Sequence, residues 1–283
     1  MRSSNPVLTR RGAFETDRQQ PAGHGAPQPG QHGTAYDRQQ APLQPMTPEQ
    51  LQEMYQAQSA GPLQTGRMTI DDVVARTAMT LLTVVVTGAL SWAFLPFENF
   101  GWAVGAALAA FVVAMVVTFK KEISPALVLT YAALEGVFLG AISHAFESQY
   151  NGIVVQAVLG TASVFVGVLV AYKSGWIKVT SRYARIGMAI AIGFVLLTFV
   201  NLLAMLIVGG DGLGLRSGPL GIVMGILGIL IGAFFLSLDF NEIEQLAGQG
   251  VPEKEAWRAA FGLTVTLVWI YLEVLRLLSI LRD

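Results

Sequence analysis

Residues 218–239 read GPLGIVMGILGILIGAFFLSLD, an almost unbroken apolar run that ends in an acid. A run of about 20 apolar residues is long enough to cross the hydrocarbon core of a bilayer as one helix. Glycine allows a second backbone to approach closely, so a glycine stripe predicts tight packing inside a helix bundle, and direct pore lining is the alternative. The stripe consists of Gly218, Gly221, Gly225, Gly228 and Gly232.

The composition of the whole chain also indicates an integral membrane protein. Of its 283 residues, 53% are hydrophobic and only 13% are charged, whereas soluble domains carry about 25% charged residues. The net charge of −1 gives no indication of nucleic-acid binding. The chain has no cysteine and no H-E-x-x-H, P-loop or G-x-S-x-G motif, so we expect neither an enzyme nor a bound cofactor.

Seven apolar segments of membrane-spanning length follow one another between residue 67 and the C-terminus. We therefore predict an all-α integral membrane protein, a bundle of seven transmembrane helices, and we see no internal repeat. An N-cap at Thr69, with Asp71 and Asp72 in the first turn, marks where the first helix begins. The predicted spans are 73–95, 100–119, 125–146, 152–172, 184–208, 218–240 and 259–281.

Residues 1–66 differ from the rest of the chain. They are rich in Gln, Pro, Gly and Ala, and their five arginines are balanced by five acids. Such a segment cannot bury enough apolar surface to offset the entropy of ordering. We predict a disordered, near-neutral cytoplasmic arm, and the absence of an apolar core argues against a cleaved secretory signal.

The basic residues of the connections alternate between the two sides of the predicted bundle. One set of connections is rich in lysine and arginine, while the other set contains only Arg216, with Arg282 at the end of the last span. This pattern predicts a multi-pass plasma-membrane protein with a cytoplasmic N-terminus. The basic set comprises Arg67, Arg76, Lys120, Lys121, Lys173, Lys178, Arg182, Arg185, Lys254 and Arg258.

Two acids lie within the last two apolar spans, where an ionisable side chain costs several kcal/mol and usually has a function. Asp239 lies toward the predicted cytoplasmic end of the sixth span, where it could instead extend to water. Glu273 lies deep in the seventh span, with Arg276 three residues later on the same helix face. A self-neutralising Glu273–Arg276 pair is the alternative to a functional acid.

Asp239 and Glu273 would form a gate if the two helices brought them together. Two carboxylates cannot both stay ionised at close range in low dielectric, so the pair would share a proton at acid pH. Higher pH would ionise both, opening the contact or leaving a site for a hard cation such as calcium. We therefore interpret this pair as a pH-sensing gate that can also bind calcium.

Four further residues are candidates for an ion path or a latch, and one of them is Arg276, which would tune Glu273. Glu135 lies near the middle of the third span, where its alternative is a polar contact to Tyr131 or to a neighbouring hydroxyl. Lys120 and Lys121 end the second span and could reach inward, although they also fit the positive-inside pattern.

The sequence resembles the transmembrane Bax inhibitor-motif family in its bacterial branch. The similarity covers about residues 68–283 and lies in Asp239-Phe240-Asn241-Glu242-Ile243 of the sixth span, in Ile270-Tyr271-Leu272-Glu273 of the seventh, where relatives have Asp, and in the third span around Tyr131, Glu135 and Gly136. The first seven residues, MRSSNPV, resemble an actinobacterial subgroup.

The resemblance implies a seven-helix fold with the last helix surrounded by the others, and a pH-sensitive calcium leak controlled by two acids. In bacterial members a second-helix arginine latches the sixth-helix Asp. Here the matching stretch offers only Lys120 and Lys121. The second span has no acid of the kind those members carry, and the resemblance would then assign that role to Glu135 on the third span.

Two other functions fit the same sequence. A regulator that binds a membrane protease or another membrane protein would depend on the arm or on residues 244–257 and would show negligible flux. A proton-coupled transporter would show saturable uptake with a proton stoichiometry.

Overall fold

A computed structural model describes residues 66–94, 100–210 and 212–282. The predicted arm lies outside the described residues, apart from Gly66. Seven described helices are long and apolar enough to cross a membrane, which confirms the all-α seven-span prediction. They are α1 (Ile70–Phe94), α2 (Phe100–Phe119), α3 (Pro125–Gln149), α4 (Ile153–Lys173), α5 (Ser181–Val208), α6 (Gly218–Gln249) and α7 (Ala256–Arg282), with a short 3₁₀ turn at Glu253–Glu255 before α7.

Helix α1 begins with the predicted N-cap. The Asp72 backbone N–H donates to the Thr69 hydroxyl at 3.1 Å, and the Asp72 carboxylate accepts from the Thr69 backbone N–H at 2.9 Å. This reciprocal capping box satisfies backbone donors that the first turn would otherwise leave open. Arg76, one turn further on, pairs with Glu253 and lies over the Trp257 ring, so α1 is fixed to the start of α7.

Helix α6 extends beyond its predicted span. The prediction ends where apolar residues give way to Asn241 and Glu242, but the helix continues to Gln249 and ends at Gly250, whose φ of 66° suits glycine. Hydropathy marks where a helix leaves the hydrocarbon, and not where its backbone hydrogen bonding stops.

Helix α7 lies at the centre of the bundle, as the resemblance implied. Thr264 of α7 shares a hydrogen bond of 2.8 Å with Thr80 of α1. The Tyr271 hydroxyl of α7 lies 2.7 Å from the Ser143 hydroxyl of α3. On the remaining sides α7 contacts α2 through Phe261, α4 through Val274, α5 through Trp269 and α6 through Glu273.

The basic connections converge at one end of the described bundle, here called the basic end. Arg258 at the start of α7 donates to the backbone carbonyls of Lys120 and Lys121 after α2. The segment before α1 is tied to the α6–α7 connection, since the Met68 N–H donates to the Val251 carbonyl at 2.8 Å. This grouping agrees with the alternation seen in the sequence, and the membrane orientation stays a prediction.

Helices α1 and α3 cross at glycines. A Cβ at Gly140 would overlap the backbone carbonyl oxygen of Gly88, and a Cβ at Gly88 would lie 3.3 Å from the Gly136 carbonyl oxygen. Ser91 on α1 donates to the Val137 carbonyl at 2.7 Å. Backbone contact with a bridging hydroxyl is a typical way for small residues to join membrane helices.

Candidate functional site

The α6/α7 interface contains both acids that the sequence singled out. The two helices run antiparallel, and the glycine stripe of α6 faces α7. A Cβ at Gly228 would lie 2.7 Å from Glu273 Oε2, and one at Gly225 would lie 3.2 Å from Leu277 Cδ1. From Gly221 to Gly232 the stripe is therefore in contact with α7 side chains, as the packing interpretation predicted, whereas Gly218 has no such neighbour.

Asp239 is half-buried near the basic end of this interface. Its Oδ2 atom accepts a hydrogen bond of 2.8 Å from the Thr266 hydroxyl of α7. Beside it, a cavity of ≈ 200 Å³ opens among α2, α6 and α7. Asp239 thus combines a fixed partner in the bundle with access from one end. The cavity is lined by Val117, Thr118, Asp239, Glu242, Ile243, Arg258, Ala259, Phe261 and Gly262.

Arg258 is the cation that lines the Asp239 cavity. Its Nε donates to Glu255 Oε2 at 2.9 Å, and its Nη2 donates to the Lys121 carbonyl at 3.1 Å. Lys120 and Lys121, the predicted latch residues, are exposed, and it is their backbone that Arg258 contacts. In the sequence, Arg258 is one of many basic residues that fit the positive-inside pattern, and nothing there marks it as part of the Asp239 site.

Glu273 is buried, and its predicted pairing with Arg276 is present. Arg276 Nη2 donates to Glu273 Oε2 at 2.5 Å, and the two side chains are only 14% and 10% exposed. Arg216, before α6, acts on Glu273 electrostatically from the bundle end opposite the basic end. Within the described residues, the Arg276 Nε atom is buried without a hydrogen-bond partner. Glu273 is thus held by arginine in a low-dielectric setting.

The structure does not bring Asp239 and Glu273 together. Glu273 packs at Gly228, which precedes Asp239 by eleven residues on α6 (239 − 228), or about 16 Å at 1.5 Å per residue. One site using both carboxylates would therefore require a rearrangement. Among the described residues, no three His, Asp or Glu side chains form a group that could hold a metal ion.

Glu135 lies on the α3 face that packs against α7. Tyr131, one turn earlier, has its ring 5.0 Å from that of Phe261, and Leu139, one turn later, clusters with Val268. Residues four apart share a helix face, so Glu135 lies between these two contacts. It is therefore at about the same depth in the bundle as Thr266 of α7. Glu135 and Asp239 therefore lie at similar depth against different sides of α7.

Replacing Thr266 by valine is expected to destabilise the protein by about 1 kcal/mol. The substitution keeps the shape of the side chain and removes the donor to Asp239, and interhelical hydrogen bonds in membranes are worth about 0.6–1.7 kcal/mol. Thermal unfolding in detergent measures the loss. Thr130→Val is the matched control, because that hydroxyl donates only within its own helix, to the Ala126 carbonyl. Equal losses in both variants would contradict a structural role for the Asp239 contact.

Comparison with known proteins identifies the family of this chain. The model of the family described as Bax inhibitor 1 like matches residues 5–283, which includes most of the N-terminal segment that the resemblance had left out. No curated protein matches the chain. The match covers nearly the whole chain and agrees with the seven membrane-spanning helices, so this chain belongs to the Bax inhibitor 1 like family of membrane proteins.

Proposed function

We propose that this protein is a pH-sensitive cation leak of the plasma membrane, with calcium as its main cation and a cytoplasmic N-terminus. No catalytic step and no cofactor are part of the proposal. The observation that carries it is Asp239, an ionisable group that lines a cavity between membrane-spanning helices and accepts a hydrogen bond from the neighbouring helix. Acids retained inside membrane bundles usually mark ion or proton pathways, and membership in the family supports the same function.

The described conformation fits the closed state of such a leak. Between Asp239 and Glu273, the glycine face of α6 is occupied by α7 side chains, including Ile270 at Gly232. Glu273 is itself tied to Arg276. Conduction would require α7 to shift so that these side chains leave the face, producing a path from the basic-end cavity past Asp239 to Glu273.

Protonation of the two acids would set the pH response. At acid pH a neutral Asp239 neither attracts cations nor repels Glu242, whereas an ionised Asp239 does both. The Thr266 hydroxyl donates to Asp239 and Arg258 lines the same cavity, while Arg276 and Arg216 act on Glu273. We therefore expect flux to rise from acid to neutral pH, with the two acids acting in series at different depths and not as one proton-sharing pair.

Calcium suits the groups around the Asp239 cavity. It prefers carboxylate, hydroxyl and water oxygens in flexible arrangements. Asp239, Glu242 and Thr118 line the cavity and supply two carboxylates and a hydroxyl. Two carboxylates without a full ligand shell would bind the ion weakly, which permits release, as conduction requires.

Calcium entry into proteoliposomes, stepped from acid to neutral pH, tests the proposal. We expect Asp239→Asn to reduce entry at neutral pH by about tenfold, since loss of the charge removes on the order of 1.4 kcal/mol of attraction, and to flatten its pH response. Glu273→Gln is expected to change the pH midpoint or the closed-state leak. Glu122→Gln, which removes an exposed acid at the same end, is the matched control and should behave like the parent protein.

Three outcomes would overturn the proposal. Absence of flux from folded protein at every pH would favour a partner-binding regulator. A pH-dependent flux that is unchanged in both Asp239→Asn and Glu273→Gln would place the pathway elsewhere in the bundle. Saturable uptake with a fixed proton stoichiometry would instead indicate a coupled transporter.

A further inference from the structure

A second cavity lies away from the two acids, in a lateral cleft between α1 and α4. This α1/α4 cleft has a volume of ≈ 730 Å³ near the basic end, with α6 on one side and α7 behind it. Its walls are overwhelmingly apolar. The apolar lining includes Val73 and Leu81 of α1, Phe165 and Leu169 of α4, Phe240 of α6 and Leu263 of α7.

The cleft continues toward the opposite end of the bundle. A neighbouring apolar cavity of ≈ 660 Å³ lies between the same two helices, with α3 and α7 behind it. The two cavities share Thr77, Leu81 and Phe165. Helices α1 and α4 are therefore separated along much of their length by two adjoining, mostly apolar cavities, together called the apolar channel.

The rim of the cleft at the basic end is polar and carries two cations. Lys173 ends α4, Lys178 follows in the connection to α5, and both are exposed at the rim. The acid of the rim, Glu244, accepts a hydrogen bond of 2.5 Å from the Tyr172 hydroxyl. Asn241 adds an amide. The two lysines thus give the rim an excess of positive charge directly above the apolar walls.

We propose that the α1/α4 cleft binds one anionic phospholipid, with an acyl chain along the apolar channel and the phosphate at Lys173 and Lys178. An empty apolar space of this size would forfeit dispersion contacts along its lining, and water gains no hydrogen bonds there. An acyl chain from the surrounding bilayer fills it without that loss. Basic pockets between membrane helices on one face of the bilayer suit anionic headgroups.

Charge complementarity favours a lipid over the other occupants of such a cleft. The predicted arm 1–66 is near-neutral and poor in large apolar residues, so it matches neither the walls nor the rim. A second copy of the chain would bring its own basic end toward these lysines. Both are outcomes that the experiment distinguishes, and the proposal does not depend on ion flux.

Binding of two lipids with matched chains to the delipidated full-length protein in neutral detergent tests the proposal. Phosphatidylglycerol and phosphatidylcholine are each titrated, and bound lipid is counted by native mass spectrometry. Each lysine near the headgroup is worth about fivefold in affinity, so the variant Lys173→Gln with Lys178→Gln should bind phosphatidylglycerol about 30-fold more weakly. The control, Lys120→Gln with Lys121→Gln, makes the same charge change at the same end, outside the cleft lining.

The expected result is one tightly held phosphatidylglycerol in the parent protein and in the control, falling to the phosphatidylcholine level in the cleft variant. Equal binding of the two lipids by the parent protein would overturn the proposal, as would equal losses in the two lysine variants. Absence of a stoichiometric lipid, with cross-links from the arm or from a second copy into the cleft, would assign the cleft to that occupant instead. Thermal unfolding of all three proteins in detergent confirms that each is folded.

Discussion

Arg276→Met is expected to destabilise the protein by about 3–5 kcal/mol at neutral pH, the usual cost of removing one partner from a buried ion pair. Methionine fills much of the volume of the arginine stem but leaves the Glu273 carboxylate buried at Gly228 without its 2.5 Å partner. Arg216 is exposed and acts on Glu273 only electrostatically, so it cannot replace that contact. Unfolding in detergent, followed by heat or denaturant, measures the loss.

The loss in Arg276→Met should depend on pH. Protonation of the unpaired Glu273 removes the buried charge, so the variant should regain stability as the pH falls, whereas the parent pair is satisfied when both groups are charged. Adding Glu273→Gln to Arg276→Met should restore most of the lost stability at neutral pH, because neither charge then remains.

Arg282→Met is the control for this prediction, since it removes an exposed arginine of the same helix that bonds the Asn151 carbonyl and Gln156. Exposed polar contacts of this kind contribute little, so we expect a loss below about 1 kcal/mol. An Arg276→Met protein that loses as little as this control, or that is equally stable at acid and neutral pH, would mean that the Glu273 charge is solvated.

The architecture could be predicted from the sequence because membrane insertion imposes a length rule. Each span needs about 20 apolar residues, and the observed helices overlap all seven predicted spans. The glycine stripe of α6 also carried enough information to place that helix against a close neighbour, because only glycine leaves room for contacts such as Gly228 with Glu273.

The relation between the two acids could not be predicted in the same way. Which residues of α6 and α7 lie at the same depth depends on the length of their connection and on side-chain packing, neither of which follows from periodicity. Here Asp239 lies at the level of Gly262 and Thr266, and Glu273 lies at the level of Gly228. Both acids were identified in the sequence, but their separation is a property of the folded interface.

Arg258 and the α1/α4 cleft were missed for a related reason. The positive-inside rule explained Arg258 as one basic residue among many, although this residue also lines the Asp239 cavity. The cleft arises where α1 and α4 both pack on α7 without closing on each other, so no local motif marks it. A cavity or cleft formed by helices that are distant in the sequence can be identified only when the packing of those helices is known.

Gly140→Ala is expected to cost about 3 kcal/mol of unfolding free energy, because its added methyl group would overlap the Gly88 carbonyl oxygen. The obstacle is backbone, which no rotamer change can move, so α1 and α3 must separate and lose contacts along their crossing. Overpacking in a well-packed core usually costs about 1–3 kcal/mol, and the upper part of that range applies where two backbones meet. Thermal unfolding in detergent provides the measurement.

Two further alanine substitutions make the test quantitative. A Cβ at Gly88 would lie 3.3 Å from the Gly136 carbonyl oxygen, so Gly88→Ala needs only a small adjustment and should cost less than Gly140→Ala. A Cβ at Gly167, on α4, meets nothing within 4 Å, so Gly167→Ala should be neutral or slightly stabilising through its higher helix propensity. The expected order of stability is therefore Gly167→Ala above Gly88→Ala above Gly140→Ala. If Gly140→Ala were as stable as Gly167→Ala, the backbones of α1 and α3 would not meet at Gly140. The placement of α3 against α7, and therefore of Glu135, would then be contradicted.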